Sequence, residues 1–535
     1  MKKITLSLLA AGLLLASSCS NDALDIKNQN AYSDATYFKT ATQFNEAVIA
    51  TYSVFLHQGM YSRDWYFLFD LLGNDAERDA PLLGDLLQLH DYSYGTTQQQ
   101  ITSLWGSLYR MIYRANLVID KAGQWSPELP EEITKKNQYL AEAHFLKGFA
   151  EFQLVALWGR VPLRPDYFSS TAYAAPRATI AEGWEAVEAD LKAAIEGLPV
   201  TYASADLGRA TQGAAIALLG KAYLYQKKYA LASTELEKLT KPPFAYALNP
   251  NFDNQFSESN GTSPETVFDI PHKWVDAATG QQTYYFGGQE AWGGLATHSG
   301  RAQEYGWNDW RNVFISNAAV QAFTYLDEEG ESYTDPRAKL TFYGDAASGG
   351  DTDFCQTCPA SKITPLPSYA ANSPNGGPFP YPFEAAGYRW RKYENYEVVE
   401  QFGGPQSNIN SQVIRFADVL LLLAESYIQQ SNMEAALPLI NQVRVRVNAF
   451  PYTQLGNQTE AMKLLMRERQ LELCGEQSRW FDLNRWGIAK QTINPEKQAA
   501  IGSQPLTDKY LLLPIPEAEK LTNSAVASDI ADDWN

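Results

Sequence analysis

Only 5 histidines, 4 cysteines and 6 methionines occur among 535 residues. So few nitrogen and sulfur ligands leave little from which to build a transition-metal centre, and no cofactor is implied. His57, His90, His144, His272 and His298 lie far apart in the chain, so each reads as a structural residue rather than a catalytic base. Positive charge is also scarce: 43 Lys and Arg stand against 61 Asp and Glu, a formal net charge of −18. A nucleic-acid binder needs clustered Lys and Arg, so that class of partner is excluded. The G-x-S-x-G elbow, the Walker loop, G-x-G-x-x-G and H-E-x-x-H are all missing, which removes the commoner sequence-legible enzymes. Cys355-x-x-Cys358 has no second pair and no histidine beside it. It reads as a local disulfide or two free thiols rather than a zinc site. Two carboxylates would suffice for a glycosidase and 61 acidic residues supply them, yet a helical repeat scaffold is not a usual home for that chemistry.

What is abundant is aromatic. The chain holds 31 Tyr and 13 Trp, and hydrophobic residues make up 45%. That is enough for a large core. Rings with an apolar face and a polar edge also suit surfaces that hold a wet, amphipathic ligand.

The N-terminus sets the compartment. Met1-Lys2-Lys3 is a short cationic start, Ile4 to Ala16 is apolar, and Ser17-Ser18-Cys19 follows. This is the layout of a secretory signal, whose apolar run is too short for the roughly 20 residues a bilayer span needs. A cysteine straight after small residues resembles a bacterial lipobox, with Ala16 where leucine is usual. The expectation is a signal peptide over 1–18, acylation at Cys19, and a polar tether over 19–40.

Apolar spacing of i, i+3, i+4 predicts helices near 42–57, 104–122, 138–157, 180–196, 212–240, 412–447 and 459–474. Thr179-x-x-Glu182 reads as a capping box opening one of them, and Cys474 falls at the end of another. Leu219-Gly220-x-x-Tyr223, followed by Ala232 and Leu236, resembles the tetratricopeptide pattern, and Leu423-Ala424-x-x-Tyr427, followed by Ala436 and Ile440, repeats it. Helix pairs of this kind bury their faces only by stacking, and the helices of 104–157 are the natural neighbours. Between 241 and 411 the composition turns to Gly, Pro, Asn and aromatics, with turn signals at Gly287-Gly288, Gly293-Gly294, Ser348-Gly349-Gly350 and Asn375-Gly376-Gly377-Pro378. This stretch reads as ordered loops and short strands laid over the helical scaffold, where binding usually sits.

A family resemblance runs nearly end to end. After the lipobox come Trp105, Tyr109, Ile112 and Asn116, then Ala141 to Phe149 and Trp158-Gly159-Arg160-Val161-Pro162. Later pieces are Thr334-Asp335-Pro336-Arg337, Val413-Ile414-Arg415-Phe416-Ala417-Asp418, Arg467-Glu468-Arg469 with Glu472, Arg479-Trp480-Phe481-Asp482-Leu483 with Arg485-Trp486, and Leu513-Pro514-Ile515-Pro516. In this order they resemble the SusD/RagB outer-membrane nutrient-binding lipoproteins. The resemblance implies a mainly α fold of four tetratricopeptide-like helix pairs with a loop-rich ligand-facing region. It divides the chain into a helical part at 41–240, an insertion at 241–411 and a helical part at 412–535, forming one globular unit. It also implies a non-catalytic role, in which the protein binds oligosaccharides at the cell surface and passes them to a SusC-like TonB-dependent barrel in the outer membrane. A peptide ligand within the same family is the nearest alternative. A protein-binding repeat scaffold and a secreted glycosidase are more distant ones.

The charged signature residues read as architecture: Arg467, Glu468, Arg469 and Glu472 share a helix, and Asp482 with Arg479 or Arg485 reads as a partly buried ion pair. Ligand contacts are expected from two regions offering rings beside polar groups. One is Asp75, Arg78, Tyr92 and Tyr94, beside Asn74 and His90. The other is Tyr284, Tyr285, Trp292, Trp307 and Trp310, near Asn308 and Arg311.

Overall fold

A computed structural model of the protein describes residues 37–78, 84–167, 174–258, 260–273, 299–305, 312–345, 347–352, 388–393, 407–497, 504–529 and 534. The signal peptide, Cys19, most of the tether, the Cys355–Cys358 pair, and Tyr284, Tyr285, Trp292, Trp307 and Trp310 lie outside the described residues.

Helix α1 (Ala41–Tyr52) opens on a capping box, in which Thr40 accepts from Gln43 N and the Gln43 side chain accepts from Thr40 N. Its Phe44 stacks on Trp125, 4.7 Å between centroids. Next come α2 (Asp64–Leu72), α3 (Gly84–His90), α4 (Gln99–Gln124), α5 (Pro130–Trp158), α6 (Ile180–Gly197), α7 (Gln212–Tyr225) and α8 (Tyr229–Lys238). The capping box expected at Thr179 is present: Glu182 N donates to Thr179 Oγ1 at 3.2 Å and Thr179 N to Glu182 Oε2 at 2.8 Å. After the insertion follow α9 (Phe416–Gln429), α10 (Met433–Arg446), α11 (Gln458–Leu473) and α12 (Arg479–Arg485).

From α4 to α10 each helix packs on the next, so α8 meets α9 and the two repeat copies become neighbours, although the whole insertion separates them in sequence. Gly220 explains how α7 and α8 approach so closely. A Cβ there would lie 2.5 Å from Leu236 Cγ, a distance that no side chain tolerates without displacing its neighbour. In the second copy Ala424, Ala436 and Ile440 are fully buried at the matching places.

The 212–240 and 412–447 segments each hold a helix pair, as the repeat pattern expects, turned at Lys227 and Ser431, which adopt φ values of 59° and 61°. The structure corrects two sequence expectations: residues 412–415 are a strand running into α9, and Cys474 lies one residue beyond α11 rather than on it, fully buried. Helix α2 escaped the periodicity because all nine of its residues are buried; with no polar face there is no amphipathic signal.

Among the described residues the strands form four antiparallel two-stranded ribbons. β1 (Ala76–Arg78) pairs with β3 (Val313–Ile315), and β2 (Thr266–Ile270) with β8 (Ser411–Arg415). β4 (Thr324–Leu326) pairs with β5 (Ser332–Thr334), and β6 (Phe342–Tyr343) with β7 (Arg389–Trp390). The first two ribbons stitch the insertion to the helical parts. No helix among the described residues is long and apolar enough to cross a membrane.

Candidate functional site

The signature charges fold into two closed clusters. In the larger, Arg337 is fully buried and binds Asp335 at 2.8 Å, Glu468 at 2.6 Å and Glu472 at 3.1 Å. Arg415 reaches Glu265, Glu472 and Glu476 at 2.6–2.7 Å. Arg446 pairs with Glu265 and Glu472, Arg444 with Glu468, and Lys392 with Glu476. Five cations thus meet five carboxylates. Burial alone would raise the Glu472 carboxyl, but Arg446, Arg415 and Arg337 overcome it and hold the group well below the usual carboxylate range. In the smaller cluster Arg469 binds Asp418 and Asp482 at 2.8 Å, Arg485 binds Asp482 at 2.8 Å and also Glu425, and Lys221 lies 3.5 Å from Asp418. Against the cost of burial, Lys221 and Arg469 pull the Asp418 carboxyl down to about 2. The reading of these charges as architecture therefore describes their geometry. Of the two partners expected for Asp482 it takes Arg485, together with Arg469, whereas Arg479 turns to Asn74, 2.9 Å, and Asp75, 3.8 Å.

The early loop is only partly open. Asp75 is buried beside Arg479 and Gln470, and burial lifts its carboxyl to about 6. Arg78 is half-buried on β1; its Nε has no hydrogen bond and Asp91 lies 4.0 Å away. His90 has a carboxylate at each ring nitrogen, Glu77 and Asp91, both at 2.6 Å. Tyr92 and Tyr94 are corrected by the structure. The chain leaves α3 with Tyr92 at φ 49°, turning its ring inward, where its hydroxyl donates to Leu72 O at 2.6 Å and no part of it reaches solvent. Tyr94 is covered by Tyr510 and Trp534. Neither ring has a face exposed for a ligand.

The β1–β3 ribbon joins the early loop to the described residues that follow the second expected region in sequence. Arg78 faces Val313, which closely follows the segment that carries Trp307 and Trp310. Glu304 and Asn312, joined through both backbone and side chain, clasp the two ends of that segment.

A cleft that the sequence did not reveal opens beside α2. Tyr61 and Trp65 stack at 4.7 Å and, with Gln412 of β8 and Gln477 of the α11–α12 turn, border two adjoining hollows, one smaller than the other. The smaller is completed by Tyr66, Arg301 and Tyr393, among others; the larger runs between Gln153 of α5, Lys221 and Tyr225 of α7, and Phe481 of α12. These residues come from distant parts of the chain and share no spacing, so no motif signals them.

Residues 246–526, more than half of the chain, match the family model described as SusD family, and residues 23–224 match one described as starch-binding associating with outer membrane. The SusD-like protein P2 of Formosa agariphila is 25% identical over 542 residues, spanning 98% of each chain. Among solved structures, a SusD superfamily protein from Bacteroides vulgatus superposes with a TM-score of 0.70 at 24% identity, over 92% of this chain and 99% of that one. A laminarin-binding SusD-like protein superposes with 0.69 at 20% identity, over 91% and 98%. Scaffold, signature clusters and comparisons agree: the chain belongs to the SusD family.

Proposed function

We propose that this protein is a non-catalytic outer-membrane lipoprotein that captures oligosaccharides outside the cell and delivers them to a SusC-like TonB-dependent barrel. The match of residues 23–224 to the starch-binding, outer-membrane-associated family carries the reading, and the laminarin-binding neighbour supports a glycan as ligand. Acylation of Cys19 provides the anchor, so Cys19→Ala is expected to leave the outer-membrane fraction. The ligand face comprises Arg78 and the aromatic segment with Tyr284, Tyr285, Trp292, Trp307 and Trp310. Asp75, one residue before β1, is buried. Rings of this kind desolvate a flat sugar face at low entropic cost.

The test is calorimetry of the mature protein against a panel of oligosaccharides, repeated with Trp292→Ala, Trp307→Ala and Trp310→Ala. At least one variant should bind tenfold or more weakly, about 1.4 kcal/mol, with little change in melting temperature. Wild-type affinity in all three would move the site off this segment, and release of any smaller sugar during incubation would contradict the non-catalytic reading. Purification from membranes in mild detergent should recover a large β-barrel with this chain, through an interface above about 1,000 Å².

A further inference from the structure

The smaller hollow beside α2 has hydrogen-bond donors in excess. Arg301 is 7% exposed. One of its nitrogens donates to Gly475 O at 2.7 Å, and the guanidinium lies over the rings of Tyr393, 4.5 Å, and Tyr305, 5.2 Å. The carboxylate it faces, Asp70, is 4.0 Å away and already accepts from Gln477 at 2.9 Å. Gln412, 8% exposed, has its oxygen taken by Gln255 at 2.9 Å, while its Nε2 has no partner. Tyr66, 3% exposed, ends in a hydroxyl with no partner. Among the described residues that border this hollow there is no Asp or Glu. Donors buried without acceptors carry a desolvation cost that an incoming acceptor removes.

We propose that this hollow binds the anionic group of an acidic saccharide, a uronate carboxylate or a sulfate ester. Arg301 is its counter-ion, and Gln412 and Tyr66 are its neutral donors. A neutral sugar would satisfy the amide and the hydroxyl but leave the guanidinium with no counter-charge nearer than Asp70, 4.0 Å away. An oxyanion satisfies all three, and the planar fork of arginine matches it. The larger hollow continues from the same four residues, Tyr61, Trp65, Gln412 and Gln477. There the Gln153 oxygen, which has no donor, is complementary to a hydroxyl. The proposal rests on the reading of the protein as a glycan binder and names the class of glycan.

The experiment is calorimetry of the mature protein with three tetrasaccharides: tetragalacturonate, its carboxyl-reduced neutral counterpart, and a sulfated galactan tetramer. At least one acidic ligand is expected to bind tenfold or more tightly than the neutral one. Preference for tetragalacturonate assigns the hollow to a carboxylate, and preference for the sulfated tetramer to a sulfate ester. Arg301→Gln should abolish the preference while neutral binding stays within twofold. Should that variant unfold, Tyr66→Phe removes one donor that has no partner in the protein and no charge, and is expected to shrink the preference at least threefold at an unchanged melting temperature. Equal affinity of the wild type for acidic and neutral ligands overturns the proposal and leaves the glycan-binding reading standing. So does an acidic preference that survives both substitutions. Absence of binding to any glycan, with binding of tetra-alanine that is lost on C-terminal amidation, overturns the glycan-binding reading itself.

Discussion

Two residues of β8, three places apart, meet opposite environments. Arg415 is 1% exposed and bonded to three carboxylates, the centre of a cluster in which every cation has its acid. Gln412 is nearly as buried but keeps one amide nitrogen unused, at the rim of a hollow whose other donors are also short of acceptors. The contrast separates architecture from ligand chemistry. A saturated charge cluster resists any addition, because each group already has its counterpart, whereas an undersaturated hollow is completed only by something from outside.

Breaking the saturated side should have the largest effect. Arg415→Met leaves Glu265, Glu472 and Glu476 buried with one cation fewer, at a cost of about 3–5 kcal/mol. A large drop in the thermal unfolding temperature, or loss of soluble protein, is expected. An unchanged transition would mean that the cluster is not a structural lock.

The pH profile of stability should divide along the same line. Burial lifts the carboxyl of Asp64 to about 7 and that of Asp269 to about 6. Folded, each holds a proton that the unfolded chain, with its ordinary value near 3.8, has lost. The stability they give is complete below about pH 4 and disappears as pH rises through 6–7. Asp418 and Glu472 are held down instead, so their stability is present above about pH 4 and lost as pH falls through their folded values. Melting temperatures across pH 3–9 should therefore peak between about pH 4 and 6. Asp64→Asn should flatten the alkaline side without touching the acid side.

A smaller effect sharpens the early loop. Tyr92→Phe removes the bond to Leu72 O, about 1 kcal/mol, and should leave ligand affinity unchanged. Arg78→Ala, by contrast, should weaken binding with little loss of stability. Chemical denaturation and calorimetry on both variants check the pair. Weakened binding in Tyr92→Phe would return that ring to the ligand face.

The sequence disclosed what is periodic or local. The long helices showed themselves by apolar spacing, the α6 cap by Thr179 and Glu182, and the repeat pairs by Gly220 and its partners, because each rests on neighbours a few positions apart. Helix α2 was invisible for lack of a polar face. β8 was read as helix because Val413 stands three and four places before Phe416 and Ala417 and so continues the spacing of α9. Tyr92 and Tyr94 show the limit of composition: a ring beside Asn, Asp and Arg looks alike in sequence whether it packs inward or stands free, and only the backbone turn after α3 decides. The hollow at Gln412 had no signal at all, since Tyr61, Tyr66, Arg301 and Gln477 meet only through the fold.

The central contrast is tested most directly by measuring melting temperature and tetragalacturonate affinity together on Gln412→Leu. A melting temperature lowered only by the loss of the bond from Gln255, about 1 kcal/mol, with affinity reduced at least threefold, is the predicted result. A fall as large as that of Arg415→Met with unchanged affinity would contradict it, because Gln412 would then belong to the scaffold as fully as Arg415 does.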